Sequence, residues 1–211
     1  MSPARPPERL RFHGTIAGLG TTSGVRVVVG SWTETPFGAF DDVMLAESDG
    51  TRRLLAPTAE VAAFLAMTYL FDDVAVMPIR VRRDWSFVRV VAGELDVRYL
   101  VGGRTPLGVA LRAVPTRVAE ASWWTHVTDP VASTLMRGVH TRGRAGNERT
   151  ETYSATDHHA ITRAMGSWRG ADLGELAPVS PDPGFGFGST PERPSLTTLV
   201  STVEIPARAT D

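Results

Sequence analysis

The sequence predicts an α+β fold that is mostly β: a curved antiparallel sheet, β-barrel or cone with a few helices, in a single domain. Three observations lead there. Short runs rich in β-branched and aromatic residues outnumber helical periodicities. Two pairs of such runs flank the turn signals Asp49-Gly50 and Ala92-Gly93, as hairpins do. Strands and helices do not alternate regularly, which disfavours a doubly wound or (β/α)8 arrangement. The chain has 211 residues, 42% hydrophobic and 21% charged, enough to bury about 70% of its unfolded surface in one core. No internal repeat and no linker divides it.

In chain order, residues 1–9 are proline-rich and polar and read as a frayed tail, leaving 10–211 as the domain. A strand is expected over 10–16, then a glycine-rich turn over 17–24, then a β-branched strand over 25–32. Strands over 40–47 and 51–56 form the first hairpin. Thr58 is placed to N-cap a helix over 59–71 that lines Val61, Phe64, Leu65 and Thr68 on one face. A strand over 74–83 alternates Ala75, Met77, Ile79 and Val81 with outward Arg80 and Arg82. The second hairpin joins 86–91 to 94–101, with Leu95, Val97, Tyr99 and Val101 facing in. Helices are expected over 106–114, 117–124 and 130–137, and one or two strands over 148–164. A proline- and glycine-punctuated loop then covers 172–194 before a last strand over 195–205.

Composition excludes whole classes of chemistry. There is no cysteine, hence no disulfide, thiolate nucleophile or sulfur-ligated zinc. All 22 basic residues are arginine, which removes lysine imines, pyridoxal phosphate attachment and a P-loop lysine. A net charge of −1 argues against a nucleic-acid groove or a polybasic membrane patch. No run of about 18 apolar residues provides a membrane span. The expectation is a soluble cytoplasmic protein without nucleic-acid or membrane partners.

The glycine motifs lead nowhere. Gly18, Gly20 and Gly24 precede the strand 25–29 rather than a helix N-terminus, so no pyrophosphate site forms there. Gly184, Gly186 and Gly188 likewise precede no helix. The five histidines lack helical ligand spacing, and His158 and His159, as neighbours in a strand, point to opposite faces. No metal and no cofactor is expected. Trp123 and Trp124 cannot both face one core. The carboxylates say more. Asp41 and Asp42 interrupt an apolar strand, so at least one must sit among hydrophobes, where an unpaired charge is costly and its pKa rises. Such a group needs an arginine partner or a function. Arg89, sharing a strand face with Trp85, Phe87 and Val91, is the candidate partner.

The run 37–45 (Phe-Gly-Ala-Phe-Asp-Asp-Val-Met-Leu), the Asp49-Gly50 turn, the return strand to Ala56-Pro57 and the helix over 59–71 resemble the acetoacetate decarboxylase-like superfamily. In that family a strand with a G-x-[FY]-x-[ED] pattern precedes a hairpin return and a helix. The pair 85–91 and 93–101 is similar to the family's V-x-G-x-L hairpin. The likeness spans residues 30–101. It implies a curved β-barrel or cone around a small apolar pocket, usually in a homo-oligomer. The family's acidic residue falls on Asp42, and Glu34 lies shortly before that strand. Its catalytic lysine falls near residues 71–74, Phe-Asp-Asp-Val, where there is none. Arginine stays protonated and cannot replace it, so imine decarboxylation is excluded.

Three functions remain open from these residues. The first is a protein binding a small organic acid or carbonyl compound in an interior pocket, with Asp42 and Arg89 at or near it and Glu34 and Tyr69 as further ligand-binding candidates. The second is a non-imine acid–base enzyme (lyase, hydratase or isomerase) in which Asp42 moves the proton with His158 or His140 as partner. The third is a structural or interaction protein without a pocket.

Overall fold

The structure, a computed structural model, describes residues 7–113, 142–144, 149–186 and 190–206. The helices expected over 117–124 and 130–137, with Trp123, Trp124, His126 and His140, lie outside the described residues. Thirteen strands and two helices are described. They are β1 (Glu8–Thr21), β2 (Arg26–Glu34), β3 (Phe40–Ala46), β4 (Arg52–Ala56), α1 (Ala59–Thr68), β5 (Asp73–Val76), β6 (Ile79–Asp84), β7 (Phe87–Ala92) and β8 (Leu95–Arg104). After these come α2 (Pro106–Arg112), β9 (Arg142–Arg144), β10 (Thr150–Trp168), β11 (Ala171–Asp172), β12 (Leu176–Ala177) and β13 (Ser195–Ile205).

Both predicted hairpins form, with left-handed glycines at Gly50 and Gly93 making the turns. Thr58 caps α1, its Oγ1 accepting from the Val61 amide at 3.2 Å, and Val61, Phe64, Leu65 and Thr68 are buried as the spacing requires. The helix stops at Thr68 rather than 71, because the chain turns extended at Tyr69 and the Leu70 amide donates to the Phe185 carbonyl. Residues 150–168 form one long strand, kinked by register shifts near Ala155 and Ile161. The expected loop 172–194 contains two short paired strands.

Two boundaries differ from the sequence reading for non-local reasons. The glycine-rich segment 17–24 is not a turn until Thr22, since β1 runs on to Thr21. Gly18 and Gly20 are needed there because Thr190 Oγ1 and the Pro178 carbonyl occupy the places a Cβ would take. The strand expected over 74–83 breaks at Met77-Pro78 into β5 and β6. Pro78 has no amide to give a ladder, and its two sides belong to opposite ends of one sheet.

That sheet follows the order β5-β4-β3-β2-β1-β13-β10-β8-β7-β6. All its pairs are antiparallel except β4–β5, whose crossover is α1. Its terminal strands β5 and β6 are separated by only Met77 and Pro78, so the sheet curls into a half-barrel whose edges meet. Alternate residues from β1, β2, β3, β4, β7, β8 and β10 fill the interior, among them Leu19, Val27, Val29, Val43, Leu45, Val90, Leu95 and Val97. The other face of β1–β4, β10 and β13 packs against α1 through Phe12, Val28, Met44, Leu54, Phe64 and Tyr153. Among the described residues no helix is long and apolar enough to cross a membrane.

Candidate functional site

Polar groups are enclosed in two places, one on each face of the sheet. The first lies under α1. Alternation turns Asp42 toward Met44 and away from the barrel interior, and it is 1% exposed. Its Oδ1 accepts from the Trp32 indole Nε1 at 2.8 Å, while Oδ2 is buried without a partner. Burial pushes its carboxyl up to about 7 against the opposing pull of the Trp32 hydrogen bond. Gly30, paired with Asp42 across β2–β3, makes this contact possible: a Cβ there would fall on Asp42 Oδ1 and within 2.7 Å of the indole nitrogen.

The same layer holds a carboxylate that the sequence reading missed. Glu151 on β10 is 1% exposed. Tyr69 donates its hydroxyl into the carboxylate, 2.7 and 2.8 Å from the two oxygens, and Ser201 donates to Oε1 at 2.7 Å. The Tyr153 hydroxyl lies 3.3 Å from that of Tyr69. Burial raises the Glu151 carboxyl and, with the neighbouring carboxylate, lifts both tyrosines well above their ordinary range. Arg149 closes the group, its Nη1 donating to Thr68 Oγ1 at 2.7 Å while its guanidinium lies 5.0 Å from the centre of the Phe64 ring. The result is a polar clasp between α1 and the sheet.

The predicted site residues are scattered over the molecule. Asp42 and Tyr69 share the layer under α1. Arg89 does not pair with Asp42: it sits on the outer side of β7 and binds Asp96 bidentately at 3.0 and 2.6 Å. Glu34 is exposed at the end of β2, opposite His13. His158 is buried on β10 against Thr105, whose Oγ1 lies 2.9 Å from its Nδ1, and burial lowers its pKa. Asp42 and His158 occupy one cross-strand row through Gly30, Ile16 and Thr197. Three strands separate them, and no hydrogen bond or ion pair joins them.

The second enclosure is the open end of the half-barrel. A cavity of ≈ 450 Å³ is lined by Arg83, Trp85, Ser86, Val88, Val101 and Leu196, with Gly102 and His159. Its level follows from the register. Val43, Val29, Ala17, Leu196 and His159 form one inward row, and the next row outward is Asp41, Ser31, Thr15, Thr198 and Asp157. The interior thus changes from apolar to polar within one row. Arg83 continues the inward parity of Ile79 and Val81 and stands in the row of Val88 and Tyr99. Tyr99 is 2% exposed and Ser31 6%, and neither side-chain hydroxyl has a partner. Burial pushes the Tyr99 phenol up to about 12, with Arg83 near enough to oppose the shift, so it stays a protonated donor. His159 presents Nδ1 to the Gly102 carbonyl at 3.1 Å and Nε2 toward Asp157 at 3.5 Å.

This end combines an apolar wall with an arginine and a histidine in its lining, the makeup of a small-ligand site; the Tyr99 and Ser31 hydroxyls, buried without partners, are not in that lining. A more open groove of ≈ 590 Å³ lies beside Arg26, Arg52 and Asp72. Its Arg52 is already committed to Asp72 and to the Gly184 carbonyl, so the barrel end is the better candidate. Among the described residues no group of three or more His, Asp or Glu side chains is placed to hold a metal ion. The sequence carried a signal for the barrel end, namely the inward parity of Arg83 after Ile79 and Val81, but it did not show that this arginine meets Leu196 of β13 and His159 of β10 at one opening.

No family model matches the sequence, and no curated protein matches it. Among solved structures the chain is similar to acetoacetate decarboxylase from Legionella pneumophila, at 10% identity and a TM-score of 0.42, over 97% of this chain and 86% of that one. It is also similar to a protein of Nitrosomonas europaea assigned as AttH, at 11% identity and a TM-score of 0.30, over 96% of this chain and 53% of that one.

Proposed function

We propose that the protein binds a small organic acid or carbonyl compound in the open end of the half-barrel, as a divergent acetoacetate decarboxylase-like protein without imine chemistry. The observation that carries this is a cavity of ≈ 450 Å³ whose lining sets Arg83 and His159 against the apolar side chains of Val88, Val101 and Leu196. Arg83 supplies the charge for a carboxylate, and Val88, Val101 and Leu196 supply an apolar wall. The chain contains no lysine, so no side-chain amine is present to form an imine. Asp42, 1% exposed under α1, serves the fold in this reading rather than the ligand.

The test is a thermal-shift series with small carboxylic and keto acids. A ligand at 100 times its Kd adds about 2.7 kcal/mol to the wild-type protein. Tyr99→Phe is expected to be as stable as wild type or more so without ligand, since it deletes an unsatisfied buried hydroxyl. Arg83→Gln leaves the free protein unchanged and removes the shift with carboxylates. A full carboxylate shift in Arg83→Gln would place the ligand elsewhere.

A further inference from the structure

A net charge of −1 conceals a segregated surface. On the outer side of β6, β7, β8 and β10 the register arranges twelve residues in three cross-strand rows. The rows are Asp84-Phe87-Leu100-Arg163, then Arg82-Arg89-Arg98-Met165, then Arg80-Val91-Asp96-Ser167. Five arginines against two aspartates give this face a charge of +3, so the remainder of the chain carries the excess of acid. Three arginines stand side by side in the middle row, on strands about 4.8 Å apart. Like charges directly opposite one another destabilise a sheet, and Asp96 compensates only Arg89 and Arg98. Arg80 and Arg82 are exposed and have no carboxylate partner among the described residues.

Of the apolar members of the face, Val91 and Leu100 are half-buried and Phe87 and Met165 exposed. Phe87 is 42% and Met165 55% exposed, and Trp85, in the turn that ends the β6–β7 hairpin, is 100% exposed. The Trp85 backbone is left-handed, φ 53°, a conformation that is unfavourable for so bulky a residue. Among the described residues, the most exposed aromatic side chain thus sits in a strained turn beside a row of arginines.

We propose that this face docks on an anionic lipid surface, with Trp85 and Phe87 entering the interfacial layer and the arginines meeting lipid phosphates. Charge complementarity selects an anionic partner. The aliphatic Val91, Leu100 and Met165 among the arginines select lipid over nucleic acid, which would require further rings on the face for bases to stack on. The proposal does not rest on the ligand reading, although Trp85 belongs to both the rim of the cavity and this surface.

The experiment is co-sedimentation of the full chain with vesicles of phosphatidylcholine alone and of equimolar phosphatidylcholine and phosphatidylglycerol. Binding is expected only to the anionic vesicles, weakening as salt is raised. Arg80→Gln/Arg82→Gln, outside the cavity and without ion pairs to lose, is expected to weaken binding about thirtyfold, with Trp85→Ser weakening it independently. Equal binding to both vesicle types, binding to neither, or wild-type affinity in the double arginine variant overturns the proposal. Retention on single-stranded oligothymidylate, lost in that variant and without vesicle binding, also overturns it and assigns the face to nucleic acid.

Discussion

Between about pH 4 and pH 7 the folded protein is expected to lose about 4 kcal/mol of stability through Asp42 alone. The carboxyl rises from 3.8 in the free residue to about 7 in the fold, chiefly because burial disfavours its charge, and each pKa unit is worth about 1.4 kcal/mol. An acid with a raised folded value holds more protons folded than unfolded between the two values, so stability falls as pH rises through that window. Asp42→Asn cannot ionise. The stability difference between wild type and this variant should therefore change by about 4 kcal/mol from pH 4 to pH 7, with wild type favoured at the acid end. Urea denaturation at a series of pH values reads it, and the comparison cancels groups common to both proteins. A difference that stays constant across the window would show that Asp42 titrates normally and is not the enclosed carboxyl described here.

The second large effect belongs to Glu151. Replacing it by alanine removes the carboxylate acceptor of both Tyr69 and Ser201, leaving Ser201 without that acceptor and Tyr69 with only its 3.3 Å contact to Tyr153, around a new cavity. The two costs together come to about 4 kcal/mol. Glu151→Gln keeps the volume and an acceptor oxygen and should cost less than about 2 kcal/mol. Because Tyr69 ends α1, near-ultraviolet circular dichroism of the alanine variant should also show looser packing of that helix. Equal, small losses in both variants would mean that the clasp does not hold α1.

Much of the fold was legible because it is local. The two hairpins announce themselves by alternation around Asp49-Gly50 and Ala92-Gly93, and Thr58 with the spacing of Val61, Leu65 and Thr68 defines α1. The last strand, Ser195–Ile205, matches the segment read from the sequence. The misplaced boundaries depend on distant partners. Gly18 looks like turn chemistry until Thr190 is seen beside it, and Met77-Pro78 looks like strand interior until β5 and β6 are seen at opposite ends of one sheet.

The site divides in the same way. That one of Asp41 and Asp42 must be buried follows from alternation alone. Which arginine meets it does not, because a shared strand pattern says nothing of distance across a ten-strand path, and Arg89 finds Asp96 on the neighbouring strand. Glu151 was hidden in a polar, threonine-rich stretch, and its partners come from residues 82 and 50 positions away. Arg83 and Tyr99 point inward by parity. They share a row through Val88, and the three-dimensional fold shows that Arg83 alone of the two lines the opening, with Leu196 and His159 from β13 and β10.

The central claim is that the ligand sits in the open end of the barrel and not under α1. Amide hydrogen exchange with and without a saturating small keto acid tests it most directly, because it maps protection along the chain. New protection at Arg83–Val88, Val101–Gly102, His159 and Leu196, with β3 and α1 unchanged, is the predicted result. Protection confined to the amides around Asp42 and Tyr69 would contradict it and return the site to the layer beneath the helix.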